Sequence, residues 1–194
     1  VDMYDGEGLI DKETLKKGVE HADALISLLS TSVDKDIIDS ANNLKIIANY
    51  GAGFNNIDVE YARQQNIDVT NTPHASTNAT ADLTIGLILS VARRIVEGDH
   101  LSRTTGFDGW APLFFRGREV SGKTIGIIGL GEIGGEVAKR ARAFDMDVLY
   151  TGPHRKEEKE RDIGAKYVDL DTLLKNADFI TINAAYNPSL HHMI

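Results

Sequence analysis

The stretch "GIIGLGEIGGEVAKRA" sets Gly129, Gly131 and Gly134 in a G-x-G-x-x-G spacing. An apolar run from Thr124 to Leu130 comes before it, and helical "EVAKRARAF" comes after. In that context each glycine has its own task. Gly129 makes the tight turn, Gly131 lets the backbone approach a pyrophosphate, and Gly134 lets helix and strand pack closely. The helix start offers free N–H groups and a partial positive charge to the phosphates. Glu132 puts a carboxylate beside that anion. Its side chain is expected to turn to solvent while its N–H faces the phosphate. The competing reading is a glycine-rich βα turn with no ligand.

About twenty residues further on, a protein of this kind that takes NAD places an acid for the ribose hydroxyls. This chain has "LYTGPHR" there, from Leu149 to Arg155. Thr151 and Gly152 occupy the acid's position. Arg155 can pair with a phosphate, and Thr151 and His154 can donate hydrogen bonds to it. The expected coenzyme is therefore NADP, with its 2′-phosphate at this strand end. The absence of an acid also permits NAD.

A second glycine turn, "ANYGAGFNNID" (Ala48 to Asp58), ends another strand and leads into a helix. Gly51 and Gly53 flank Ala52. Successive N–H groups in such a turn can form an anion nest, with a carboxylate as its natural guest. The spacing fits equally well a turn that merely needs a positive φ.

The elements that must position these loops alternate from end to end. Strands are expected at Ala24 to Ser30, Leu44 to Tyr50, Ile67 to Thr72, Thr124 to Leu130, Asp147 to Gly152, Ala165 to Leu170 and Asp178 to Ala184. Several are apolar almost throughout, as strands buried on both faces are. Helices between them start at the N-cap candidates Asp11, Asp34, Asp58 and Asp171. The alternation predicts α/β architecture, with parallel sheets and helices on both faces. One longer helix, from near Ser76 to about Asp99, is apolar on most sides and is expected to be a buried connector. The boundary between two units is placed near Pro73, giving domains 1–73 and 74–194.

The chain has 194 residues and a net charge of −8, so a phosphate backbone would repel it and nucleic acid is not an expected partner. It has no cysteine, which excludes disulfides and thiolate metal sites. No metal site and no membrane partner are expected. The acidic start "VDMYDGEGLIDKE" has no apolar segment, and the longest apolar stretch is too short to span a bilayer. A cytoplasmic location is expected.

Taken together, the stretches resemble the D-isomer-specific 2-hydroxyacid dehydrogenases. "NYGAGFNNIDVEYARQQNIDVTNTP" looks like that family's substrate loop and hinge. "TADLTIGLILSVARRI" looks like its connector helix, and "GKTIGIIGLGEIGGEVAKRARAFDMDVLYTG" like its coenzyme loop. Within the family, "GFDGWAP" and "LYTGPHR" look most like glyoxylate and hydroxypyruvate reductases. The resemblance implies two doubly wound parallel-sheet domains, a flavodoxin-like substrate domain and a Rossmann coenzyme domain, with the active site in the cleft between them. It implies a homodimer and a small 2-oxo or 2-hydroxy acid substrate.

By the same resemblance, the backbone at Ala52 and Gly53 holds the substrate carboxylate. Thr80 lies near the coenzyme, Gly131, Glu132 and Ile133 face the pyrophosphate, and Asn183 to Tyr186 rim the adenosine. The family's catalytic arginine, glutamate and histidine fall beyond the position of Ile194, and its opening strand and helix fall before Val1. The chain is thus expected to be a fragment with no catalytic residue of its own. His74, His191 and His192 are expected to be surface histidines, and Arg93 and Arg94 to make structural ion pairs. The alternative to an enzyme is a dinucleotide-sensing module of the same fold.

Overall fold

The computed structural model describes residues 1–185 and 190–194. The chain divides into two compact units, Val1–Ser76 and Thr77–Ile194.

In the first unit, α1 (Lys12–Val19), β1 (Ala24–Leu28), α2 (Lys35–Asp39), β2 (Ile46–Tyr50), α3 (Val59–Gln64) and β3 (Asp68–Thr70) follow in order. The strands form a parallel sheet in the order β1-β2-β3. The helices begin as their caps dictate: the carboxylates of Asp11, Asp34 and Asp58 accept the N–H groups of Thr14, Ile37 and Tyr61. Leu15, Val19, Ile37, Ile38 and Ala62 of these helices share one core with Ile47 of the central strand. The residues that alternate with the buried Ser27, Ile47 and Asn49 point the other way, and Ile26, Leu28 and Tyr50 are exposed.

The second unit holds α4 (Thr77–Ala92), α5 (Ile95–Arg103), β4 (Thr124–Ile128), α6 (Glu132–Arg142), β5 (Asp147–Thr151), α7 (Glu157–Ile163), β6 (Ala165–Tyr167), α8 (Leu170–Asn176) and β7 (Phe179–Ile182). Its sheet is parallel, in the order β6-β5-β4-β7. That is the 3-2-1-4 part of a Rossmann sheet, its first half and the next strand, with the order reversing beside its first strand. β4 shows why both faces are covered. A Cβ on Gly134 of α6 would lie 3.3 Å from Ile127, and one on Gly126 would lie 2.5 Å from Leu173 of α8. Neighbouring residues of the strand thus meet helices on opposite faces. On α6, Gly134, Val137, Ala138 and Ala141 are buried, a narrow stripe at helical spacing that small residues let sit close to the sheet.

Three sequence expectations change. The expected 76–99 helix stops at Ala92. Arg94 adopts a left-handed backbone (φ 55°) and caps a separate helix, α5. Its guanidinium binds Glu97 at 2.6 Å and lies 4.3 Å from the Phe115 ring centroid, which helps hold this unusual conformation for a non-glycine residue. Nor is the helix buried throughout: Ala81 and Ala92 are buried, while Leu83, Leu87 and Val91 form an exposed stripe. The cap of α8 is Asp169 rather than Asp171.

Candidate functional site

The ends of three strands converge on the glycine loop. Gly129 N–H donates to the carbonyl of Thr151 at 2.9 Å, and Asn183 N–H donates to the carbonyl of Ile128 at 2.8 Å. The loop that follows β4 is therefore tied to the end of β5 on one side and to the exit of β7 on the other. This is the switch point at the carboxyl edge of the sheet, where ligands of such folds bind.

The three glycines are kept for different reasons. Gly129 has φ +96°, and a Cβ there would lie 2.7 Å from the Ala184 nitrogen. A Cβ on Gly134 would lie 2.1 Å from the Gly129 carbonyl oxygen. Both are demanded by the fold. Gly131 is not: a Cβ there meets no described residue within 4 Å, and its φ of −79° suits any residue. It is the N-cap of α6 and has no side chain, so the helix start carries no side-chain cap hydrogen bond. An open approach to the N-terminus of a helix fits a dinucleotide pyrophosphate.

Glu132 is drawn off by Lys159 of α7, whose Nζ lies 3.0 Å from its carboxylate and donates to the Gly131 carbonyl at 2.9 Å. Lys159 was not anticipated from the sequence, where it sits in the charged run "RKEEKER" that reads as solvated surface.

At the end of β5, Thr151 is buried and Gly152 and His154 follow on a turn. Gly152 accepts a hydrogen bond from the Tyr167 hydroxyl at 3.2 Å. Arg155 is exposed but not loose: its Nε and Nη2 donate to the two carboxylate oxygens of Glu160 at 2.9 Å each. Tyr150 donates to the same carboxylate at 2.6 Å. Arg155 first, and Tyr150 second, hold the Glu160 carboxyl down to about 2. Burial, with the donation to Glu160, pushes the Tyr150 phenol up to about 12. At neutral pH the trio is thus a neutral donor, a carboxylate and a guanidinium. Tyr150 and Glu160 lie outside the residues the motif spacing points to.

Thr80 lies half-buried in the first turns of α4, and its carbonyl accepts the Thr84 hydroxyl at 2.8 Å. Asn183, Ala184 and Ala185 follow β7, while Tyr186 lies outside the described residues. The rings of His191 and His192 stack at 3.9 Å. His74 is exposed in the first unit's terminal loop.

The second glycine turn lies in the first unit. Neither Gly51 nor Gly53 has a positive φ, which removes the left-handed turn from the two readings of this sequence and, with it, the αR–αL form of an anion nest. The carbonyls of the turn are pinned instead. Asn71 donates to the Ala52 carbonyl at 2.8 Å, and the buried Asn49 donates to the Gly53 carbonyl at 2.6 Å. Asn49 is itself set by Ser27, whose hydroxyl donates to its Oδ1 at 3.0 Å. The N–H groups of Ala52 and Gly53 donate to no described residue. Backbone donors left open on a fixed turn suit a carboxylate guest. Asn49 and Asn71 went unnoticed in the sequence because single asparagines carry no spacing signal.

Among the described residues no cluster of three or more histidines and acids could hold a metal, and no helix is long and apolar enough to cross a membrane.

Residues 85–194 match the family described as "D-isomer specific 2-hydroxyacid dehydrogenase, NAD binding domain". The chain belongs to the D-isomer-specific 2-hydroxyacid dehydrogenase family. It is 99% identical, over all 194 residues, to a Staphylococcus epidermidis protein named "Putative 2-hydroxyacid dehydrogenase", and spans 61% of that protein's length. Solved structures agree. The TT0316 protein of Thermus thermophilus is 39% identical with a TM-score of 0.89, over 96% of this chain and 58% of that one. A glyoxylate reductase from Paecilomyes thermophila is 36% identical with a TM-score of 0.80, over 94% and 56%. A D-lactate dehydrogenase from Aquifex aeolicus, complexed with NAD and lactic acid, is 28% identical with a TM-score of 0.83, over 92% and 53%. The glycine loop and the β5 end thus sit in the NAD-binding domain of this family.

Proposed function

We propose that the whole protein is an NADPH-preferring reductase of small 2-oxo acids, with glyoxylate or hydroxypyruvate favoured, acting in the cytoplasm as a homodimer. The observation that carries the reading is the end of β5. It has Thr151 and Gly152 where an NAD-binding relative of the fold places its acid, it is hydrogen-bonded to the glycine loop through Gly129 and Thr151, and it carries Arg155 with Glu160 on one edge of its guanidinium. The exposed stripe of Leu83, Leu87 and Val91 supports self-association.

In this reading Gly131, Glu132, Ile133 and Gly134 receive the pyrophosphate, with Thr80 near the coenzyme. Thr151, Gly152, His154 and Arg155 receive the 2′-phosphate. A nicotinamide coenzyme bound there supplies the hydride. The open N–H groups of Ala52 and Gly53 take the substrate carboxylate and so orient the carbonyl beside it. The proton donor and the arginine that polarises the carbonyl belong to the part of the protein beyond Ile194.

The test is turnover. The full-length protein should oxidise NADPH with glyoxylate or hydroxypyruvate faster than with pyruvate, and faster than it oxidises NADH. The 194-residue chain alone should stay at background with either coenzyme. A full-length protein that prefers pyruvate and NADH would replace this reading with a D-lactate dehydrogenase, and clear turnover by the short chain would refute the placement of the catalytic groups.

The substrate turn has its own test. Among the described residues a Cβ on Gly53 meets only Asn55 Oδ1, at an ordinary 3.5 Å, so Gly53→Ala should fold normally. The methyl would crowd the guest carboxylate and loosen a charge-assisted hydrogen bond. KM for the oxo acid should rise roughly tenfold while the coenzyme Kd holds. Loss of coenzyme binding with KM intact would show that the turn has been misassigned.

A further inference from the structure

Tyr150 is fully buried, one residue before the end of β5. Its ring packs edge-on against Tyr167, with centroids 5.3 Å apart. Its hydroxyl accepts the Lys156 N–H at 2.7 Å and donates to Glu160 Oε1 at 2.6 Å. A phenol fixed by the core thus fixes a carboxylate near the surface, whose side chain is only 13% exposed. That carboxylate in turn grips one edge of Arg155, through Nε and Nη2. A guanidinium has five N–H donors, and two are used here, so three remain. Nη1 bonds to no described residue. The arginine is exposed, long and flexible by nature, yet it is held along one edge with the other edge open.

Resting on the reading that Arg155 meets the 2′-phosphate, we infer that Tyr150 and Glu160 are positioning residues. They hold Arg155 by its inner edge so that its outer edge is set to receive a phosphate group, and they thereby help set coenzyme preference. Ordering a rotamer-rich side chain before the ligand arrives removes that cost from binding. The opposite role is also physically available to Glu160. A carboxylate on the same arginine could compete with the phosphate and weaken NADPH. The two roles predict opposite signs.

Tyr150→Phe separates them, because it leaves both charges in place and removes the hydroxyl, which anchors Glu160 and also accepts the Lys156 N–H. Glu160→Asp is the second variant: it keeps the charge and shortens the reach by one methylene. Kd values for NADPH, NADH and the probe 2′,5′-ADP are measured on the full-length protein by titration. Each variant should weaken NADPH and 2′,5′-ADP roughly tenfold and leave NADH within about twofold. In an Arg155→Ala background, Tyr150→Phe should cost nothing further. Equal weakening of both coenzymes would mean that the pair merely supports the fold. Tighter NADPH binding would mean that Glu160 competes. Either result overturns the inference, as does an unchanged NADPH Kd in both variants. If Arg155→Ala shifts the NADPH to NADH ratio but these variants do not, the inference alone falls. If Arg155→Ala leaves that ratio unchanged, the reading beneath it falls too.

Discussion

Gly131→Val should raise the coenzyme Kd about a hundredfold while leaving the protein folded. The expectation comes from what surrounds the missing side chain. Among the described residues nothing would meet a Cβ at Gly131 within 4 Å, and the backbone there (φ −79°, ψ −150°) is open to a β-branched residue. What would meet the new methyl groups is a ligand drawn against the start of α6. Displacing a pyrophosphate by the width of a methyl group breaks several N–H contacts at once. Gly134→Ala is the instructive companion. Its Cβ would lie 2.1 Å from the Gly129 carbonyl oxygen, so helix or strand must shift, at a cost of roughly 1–3 kcal/mol. Binding titrations and thermal melts on the full-length protein separate the two: Gly131→Val should lose ligand and keep Tm, and Gly134→Ala should lose Tm. An unchanged coenzyme Kd for Gly131→Val would take the loop out of the binding site.

The same spacing, G-x-G-x-x-G, could not show that one glycine faces a ligand and two face the fold. It could show that strand, loop and helix follow in that order, because each is a local pattern. The N-caps at Asp11, Asp34 and Asp58 were legible for the same reason. The Asp169 cap was misplaced by two residues because "VDLDTLL" offers two acids. The structure chooses the one three residues ahead of Thr172, whose N–H and hydroxyl both bind Asp169. Asp11 does the same with Thr14. At α1 and α8 a threonine three residues after the acid accompanies the cap, while α2 and α3 have Ile37 and Tyr61 at that place.

What was not legible is non-local. The break at Arg94 carries no proline or glycine signal; the Phe115 ring beside its guanidinium is supplied from 21 residues away. The grip of Glu160 on Arg155 needs α7 to fold back beside β5 before the two can meet. A charged run such as "HRKEEKER" reads as surface whichever of its residues is held. Asn49 and Asn71 are silent in the sequence because their hydrogen bonds are to backbone carbonyls that only the folded turn presents.

Thr151→Asp should reverse coenzyme preference, with NADPH weakened by up to about a thousandfold and NADH strengthened. Thr151 ends β5, pairs in register with Ile128, and accepts the Gly129 N–H through its carbonyl, so its backbone position is fixed by the glycine loop itself. An acid there would sit where NAD-binding relatives of the fold hold the ribose hydroxyls. Facing a 2′-phosphate at about 4 Å, one carboxylate charge costs roughly 4 kcal/mol at an effective dielectric near 20, close to three powers of ten in affinity. Arg155→Ala works from the other side. It removes a cation rather than adding an anion, and leaves Glu160 uncompensated at the same strand end. NADPH should weaken far more than NADH, and raising the salt concentration should shrink the difference, because Arg155 is exposed and its field is screened. Both variants are read by Kd for each coenzyme and by kcat/KM on the favoured oxo acid. A wild-type protein that already prefers NADH would sink the assignment, as would an Arg155→Ala variant that weakens both coenzymes alike. In either case the basic strand end would be serving the Tyr150–Glu160 network of the fold rather than the phosphate of a ligand.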